Sequence, residues 1–102
     1  LCDIPGSAAD NADVVTTDVW SSMGDENEIE ERKRAFKSYQ VNMNLMSKTK
    51  NDSIFLHCLP AHRGEEIDND IIDSKYSRVW QQAHNRLYSS MALIDFLLSA
   101  DS

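Results

Sequence analysis

The chain has 102 residues, of which 41% are hydrophobic and 26% charged, with a formal net charge of −7. That length supports one small domain with one core, and the acidic balance excludes a basic surface for nucleic-acid phosphates. No apolar run approaches the ~20 residues of a membrane span, and no basic segment leads into an apolar one as in a secretory leader.

Residues 1–11 hold Pro5, Gly6, Ser7 and Asn11 and are predicted as loop. With no methionine at the start and no clear opening element, the chain reads as a piece of a longer protein. "ADVVTTDVW", residues 12–20, is β-branched and short, which predicts a strand buried on both faces. From Glu26 onward acids lead and bases follow, which suits the dipole of a helix. Glu28 with Arg32 and Glu30 with Arg34 are i,i+4 pairs in the favourable order. Ile29, Phe36 and Met43 recur at seven-residue spacing and predict one apolar stripe. "YQVNMNLMSKT" predicts a second, shorter helix. "SIFLHCL", residues 53–59, is the second strand, ended by Pro60. Residues 61–76 read as loop with a short helix near Asn69 to Asp73, and "EEIDNDIID" reads as a solvated acidic segment without the ligand spacing of a calcium loop. Residues 77–98 form a long amphipathic helix carrying Val79, Ala83, Leu87, Met91, Ile94 and Leu98 at spacings of three and four.

Strand, helices, strand, helix is an α/β order. A helical connection of this length implies a right-handed crossover between parallel strands, hence part of a Rossmann-like sheet. Two strands make a poor sheet alone, which again points to a piece of something larger. Cys2 and Cys58 lie far apart without a CxxC, which predicts reduced thiols in an intracellular protein.

In open α/β sheets ligands bind beyond the carboxyl ends of strands. Two clusters lie there: Asp18 to Gly24, and His57-Cys58-Leu59-Pro60. Asp18 near a helix start more often caps than binds. Ser22-Met23-Gly24 is either a tight turn or a set of N–H donors for a carboxylate. Cys58 alone reads as an inert buried thiol, and His57 points to the opposite face of the strand. His57, Cys58 and His62 fit no common zinc spacing, so no metal is expected. Arg86, half-buried beside the apolar stripe of the last helix, needs an anion, either a carboxylate or a bound phosphate.

On "TDVWSSMG", "YQVN", "FLHCLPAHRGEEI" and "QAHNRL", in order and across about residues 12–98, the chain resembles the carboxyl-terminal third of the ornithine transcarbamylase (ornithine carbamoyltransferase) family. The resemblance implies part of the ornithine-binding domain of a two-domain enzyme. That enzyme moves the carbamoyl group of carbamoyl phosphate to the δ-amine of L-ornithine, giving citrulline and phosphate in arginine metabolism, without metal or organic cofactor. It implies catalytic roles for Cys58 and Asp18, with ornithine held by Asp18, Ser22 and Met23. Carbamoyl phosphate is held by Cys58, the Leu59 carbonyl and Arg86. It further implies a homotrimer, and a cytoplasmic location or the mitochondrial matrix in a eukaryote. The family's Ser-Thr-Arg-Thr phosphate loop does not occur here, so the carbamoyl phosphate domain is absent and the chain alone is expected to be inactive. His84 departs from the family's usual glutamate. Ser22-Met23-Gly24 favours ornithine over the putrescine and N-acetylornithine relatives, which lack that loop. A non-catalytic binding module and a cysteine hydrolase using Cys58 are the alternatives.

Overall fold

Parallel pairing of two short strands sets the position of everything that follows. β1 (Val14–Thr17) lies beside β2 (Ile54–His57), with Val14 opposite Ile54 and Thr17 opposite His57. Both carboxyl ends therefore reach the same edge, and Asp18 and Cys58 leave the sheet as neighbours. The computed structural model describes residues 1–21 and 26–100, and among these the sheet has two strands. Residues 76–78 extend the other edge of β2: Phe55 N–H donates to the Tyr76 carbonyl at 2.8 Å, and Arg78 N–H to the Phe55 carbonyl at 2.9 Å. The α/β order predicted from the sequence holds, with a long helix at the end.

Burial on both faces of β1 does not occur. Its residues alternate between exposed and half-buried, and Val14 is 49% exposed. The reason is that β1 pairs on one edge only and has no layer over its outer face among the described residues. β2 alternates cleanly, with Phe55 and His57 inward. That alternation follows from the two-residue period of a strand.

The core is built largely from the segment expected to be solvated. Ile67, Ile71 and Ile72 are buried with Val41, Met46, Phe55 and Val79. Glu66 is also buried. The acidic run is pinned down by main-chain bonds: Val41 N–H donates to the Glu66 carbonyl at 2.9 Å, and Asp68 N–H to the Val41 carbonyl at 3.0 Å. Asp68 also accepts from the N–H groups of Asp70 and Ile71. The charged side chains at 65, 68, 70 and 73 can face outward while the isoleucines turn in.

The helices depart from the expected periods where backbone turns intervene. Residues 1–11 are not all loop: α1 (Pro5–Ala9) begins on Pro5, whose fixed φ suits the first helical position, and its Ala9 is buried. α2 (Ile29–Phe36) stops at Phe36 and passes into a tighter turn over Lys37–Tyr39. The seven-residue stripe is thereby broken, because Met43 opens a separate helix, α3 (Met43–Met46). Glu28 and Arg32 form the expected ion pair at 3.0 Å, whereas Glu30 lies 3.8 Å from Lys33 in place of Arg34. Asn42 caps α3, its Oδ1 accepting from Leu45 N–H at 2.8 Å. We expect Asn42→Ala to cost about 1 kcal/mol, read as a lower urea midpoint at unchanged slope.

α4 (Val79–Ala100) docks only by its first turns. Val79 is buried and Gln82 Oε1 accepts the His57 N–H at 3.0 Å. Beyond that the helix stands clear of the body. Leu87, Met91, Ile94 and Leu98 are 58, 57, 57 and 73% exposed. The predicted apolar stripe exists, but nothing among the described residues covers it.

Candidate active site at the strand ends

Asp18 and Cys58 meet directly. The Cys58 thiol donates to Asp18 Oδ1 at 3.2 Å, and Val19 N–H donates to the same oxygen at 2.7 Å. The N–H that Asp18 takes is that of its immediate neighbour and not of a second or third helical residue, so the capping expectation is not met, and the carboxylate is instead shared across the two strands. Oδ2 has no hydrogen-bond partner among the described residues. Asp18 and Cys58 are both exposed, so the expected burial of the thiol does not hold.

The bond shifts both groups, in opposite directions. Asp18 is held below its ordinary pKa, first by the Cys58 thiol and then by Val19 N–H. Cys58 is raised, first by its bond to Asp18, then by desolvation and the carboxylate's charge; Arg86 opposes this. A raised thiol stabilises the fold fully below its unfolded pKa, and that contribution is lost as pH rises through the folded value. With Cys2 replaced by serine, Cys58 should therefore react with iodoacetamide at pH 8 more slowly than in the urea-unfolded chain, and Asp18→Asn should speed it. Equal rates in the folded and unfolded chains would contradict the pairing.

What holds Cys58 there is the strand end behind it. His57 is fully buried, and its Nδ1 accepts the Leu59 N–H at 2.8 Å. That bond leaves the ring proton on Nε2, facing Glu66 Oε1 at 2.8 Å. The same Oε1 accepts His62 N–H at 2.8 Å. So His57, which points away from Cys58 as strand alternation requires, fixes the residues on both sides of it. Leu59 has φ +58° and precedes a cis peptide to Pro60. A left-handed leucine carries strain that persists only where the surroundings over-determine it, and here the His57 Nδ1 bond supplies part of that constraint.

Arg86 completes the hollow from the other side. It lines one concavity together with Cys58, Leu59, Pro60, Gln82 and Ala83. Half-burial of Arg86 is not observed. It is exposed, because the helix has left the body by that turn, and among the described residues it has no hydrogen bond or ion pair. His84 does not engage it: its ring packs edge-on to Tyr88 at 5.0 Å and shares a 3.1 Å hydrogen bond with the phenol. Ser22 and Met23 lie outside the described residues. The sequence reading missed Gln82 and Glu66. The signal for Glu66 was available: His57 shares the inward face with Phe55, and a buried imidazole needs a partner.

The Cys58 thiol and the Arg86 guanidinium line one hollow, and Asp18, ionised and with one oxygen unpartnered among the described residues, is joined to it through its bond to Cys58. The arrangement suits a ligand with an ammonium at one end and an anion at the other. The family model described as "Aspartate/ornithine carbamoyltransferase, Asp/Orn binding domain" matches residues 1–97. An ornithine carbamoyltransferase of Hydrogenovibrio crunogenus is 48% identical over 95 residues, which is 93% of this chain and 32% of that protein. One of Pyrococcus horikoshii is 52% identical over 94 residues, 92% of this chain and 30% of the relative. Among solved structures, the ornithine carbamoyltransferase of Pyrococcus furiosus superposes with a TM-score of 0.82 at 53% identity, covering 89% of this chain and 29% of that one. The chain thus spans about a third of the length of the relatives it matches.

Proposed function

We propose that this chain, which belongs to the aspartate/ornithine carbamoyltransferase family, supplies the acceptor half of an ornithine carbamoyltransferase site. The observation that carries the reading is the Cys58–Asp18 bond at the paired strand ends, with Arg86 across the hollow. In this reading Asp18 takes the α-ammonium of ornithine, and Ser22 and Met23 close over its carboxylate. Arg86 faces the phosphate of carbamoyl phosphate, and the Leu59 carbonyl accepts from the carbamoyl NH₂. The δ-amine lone pair attacks the carbamoyl carbon, the bond from that carbon to the phosphate oxygen breaks, and nitrogen loses a proton as citrulline and phosphate form. The nucleophile must be the neutral amine, so a proton acceptor nearby is useful.

Cys58 suits that role only once ornithine arrives. An ammonium on Asp18 competes with the thiol for the carboxylate and so weakens the main cause of its raised pKa. The thiolate form then becomes more accessible and can take the amine's proton.

The phosphate-binding loop of the family is not in this sequence, so the reaction needs residues from outside it, supplied by a carbamoyl phosphate domain and by neighbouring subunits of a trimer. Those parts also account for the exposed face of α4 and the open side of β1, since apolar patches of this kind mark interfaces. No helix of the described residues is long and apolar enough to cross a membrane, and we place the complete enzyme in the cytoplasm or mitochondrial matrix. The test is citrulline formation by the complete enzyme carrying this segment, with ornithine or putrescine as acceptor. Ornithine should be preferred by at least ~10-fold, the size expected for losing one charge-assisted contact. Equal use of putrescine would overturn the roles given to Ser22 and Met23.

A further inference from the structure

Behind the strand end, one buried carboxylate oxygen has no partner among the described residues. Glu66 is completely buried, and its Oε1 is taken by His57 Nε2 and His62 N–H. Its Oε2 is also inaccessible to solvent and makes no hydrogen bond among the described residues. That atom faces His62 Nδ1 at 3.8 Å, too far for a hydrogen bond, on a side chain that is half exposed. Glu65 closes the group: one ligand atom from each of His62, Glu65 and Glu66 lies within 4.8 Å of the others.

An unsatisfied buried carboxylate oxygen is destabilising, and more so when charged, so something must compensate it. Two features favour a cation over a simple protein donor. The Glu66 carboxylate is oriented by two bonds on its other oxygen, as ligating carboxylates commonly are. The remaining two donors sit on His62, which is half exposed, and Glu65, which is partly buried, and their side chains can close on an ion while Glu66 stays still. Lys33 lies 3.0 Å from Glu65 Oε1, and it can keep one oxygen while the other binds.

We infer that His62, Glu65 and Glu66 form a binding site for a divalent first-row transition metal of the zinc class. One imidazole and two carboxylates suit such ions better than calcium or magnesium, which prefer all-oxygen shells. The site is separate from the Asp18–Cys58 hollow and uses no thiol. It is tied to that hollow through Glu66, His57 and the Leu59 N–H. Metal binding there steadies the strand end that presents Cys58, and it also raises the stability of the chain by mass action.

The test titrates Co²⁺, and separately Zn²⁺, into the chain with Cys2→Ser and Cys58→Ser, so that thiolates cannot bind. One equivalent should bind, with the visible bands of nitrogen and oxygen ligation, a raised melting temperature, and movement of the His62 ring proton resonances but not those of His84. His62→Ala and Glu65→Gln should each weaken binding at least ~10-fold, since loss of even an outer partner costs 10–100-fold. His62 is exposed and Glu65 partly so, and the His62 backbone N–H that serves Glu66 remains in either variant. His84→Ala should bind as before. Absence of saturable binding in the thiol-free chain would overturn the proposal. So would an affinity unchanged by both His62→Ala and Glu65→Gln.

Discussion

Replacing Glu66 by alanine should destabilise the chain by about 1–3 kcal/mol, because it leaves the buried His57 Nε2–H unpaired. It also removes the acceptor of the part-buried His62 N–H, a cost that loss of the unpartnered Oε2 partly offsets. The donors are His57 Nε2–H and His62 N–H, both at 2.8 Å from Glu66 Oε1. A domain of this kind holds only ~5–15 kcal/mol in total, so the loss should appear as a large fall in the urea midpoint. Glu66→Gln keeps a carbonyl oxygen in place and should lose less than half as much. An alanine variant as stable as the parent would show that the pair contributes nothing to the strand end.

The second large effect is on substrate. In the complete enzyme carrying this segment, Asp18→Asn should raise the KM for ornithine ~10–100-fold, the equivalent of a charge-assisted bond of about 1.5–3 kcal/mol. The KM for carbamoyl phosphate should move little. The same substitution removes the principal cause of the raised Cys58 pKa. The pH dependence of kcat/KM, which reports the free enzyme, should therefore shift toward lower pH in the variant, the direction in which a released thiol titrates, while that of kcat, where ornithine already occupies Asp18, should move less.

Both predictions depend on residues that were unequally visible in the sequence. The strand ends were legible because local rules act there: a β-branched run stopped by Pro60, and an inward face carried by Phe55 and His57 at a period of two. Parallel pairing then placed Asp18 next to Cys58. The acidic segment was not legible. Its composition describes a solvated face, yet Ile67, Ile71 and Ile72 are drawn inside by main-chain bonds to Val41, a partner distant in sequence. Likewise, the helical period through Ile29, Phe36 and Met43 gave no warning of the turn at Lys37–Tyr39. For α4 the apolar period was real, but a period reports what a face can bury and not what lies against it. Arg86 was expected half-buried for that reason. It is exposed because the helix leaves the body two turns after Val79.

The central claim is that one site is divided between the end of β1, where Asp18 serves the amine substrate, and α4, where Arg86 serves the phosphate. Its most direct measurement is the pair of KM values, for ornithine and for carbamoyl phosphate, determined in Asp18→Asn and in Arg86→Ala of the complete enzyme. A crossed pattern is predicted: Asp18→Asn raises the ornithine value at least ~10-fold and Arg86→Ala raises the carbamoyl phosphate value at least ~10-fold, each leaving the other within a few-fold. Equal losses for both substrates in both variants, or the reverse assignment, would contradict it.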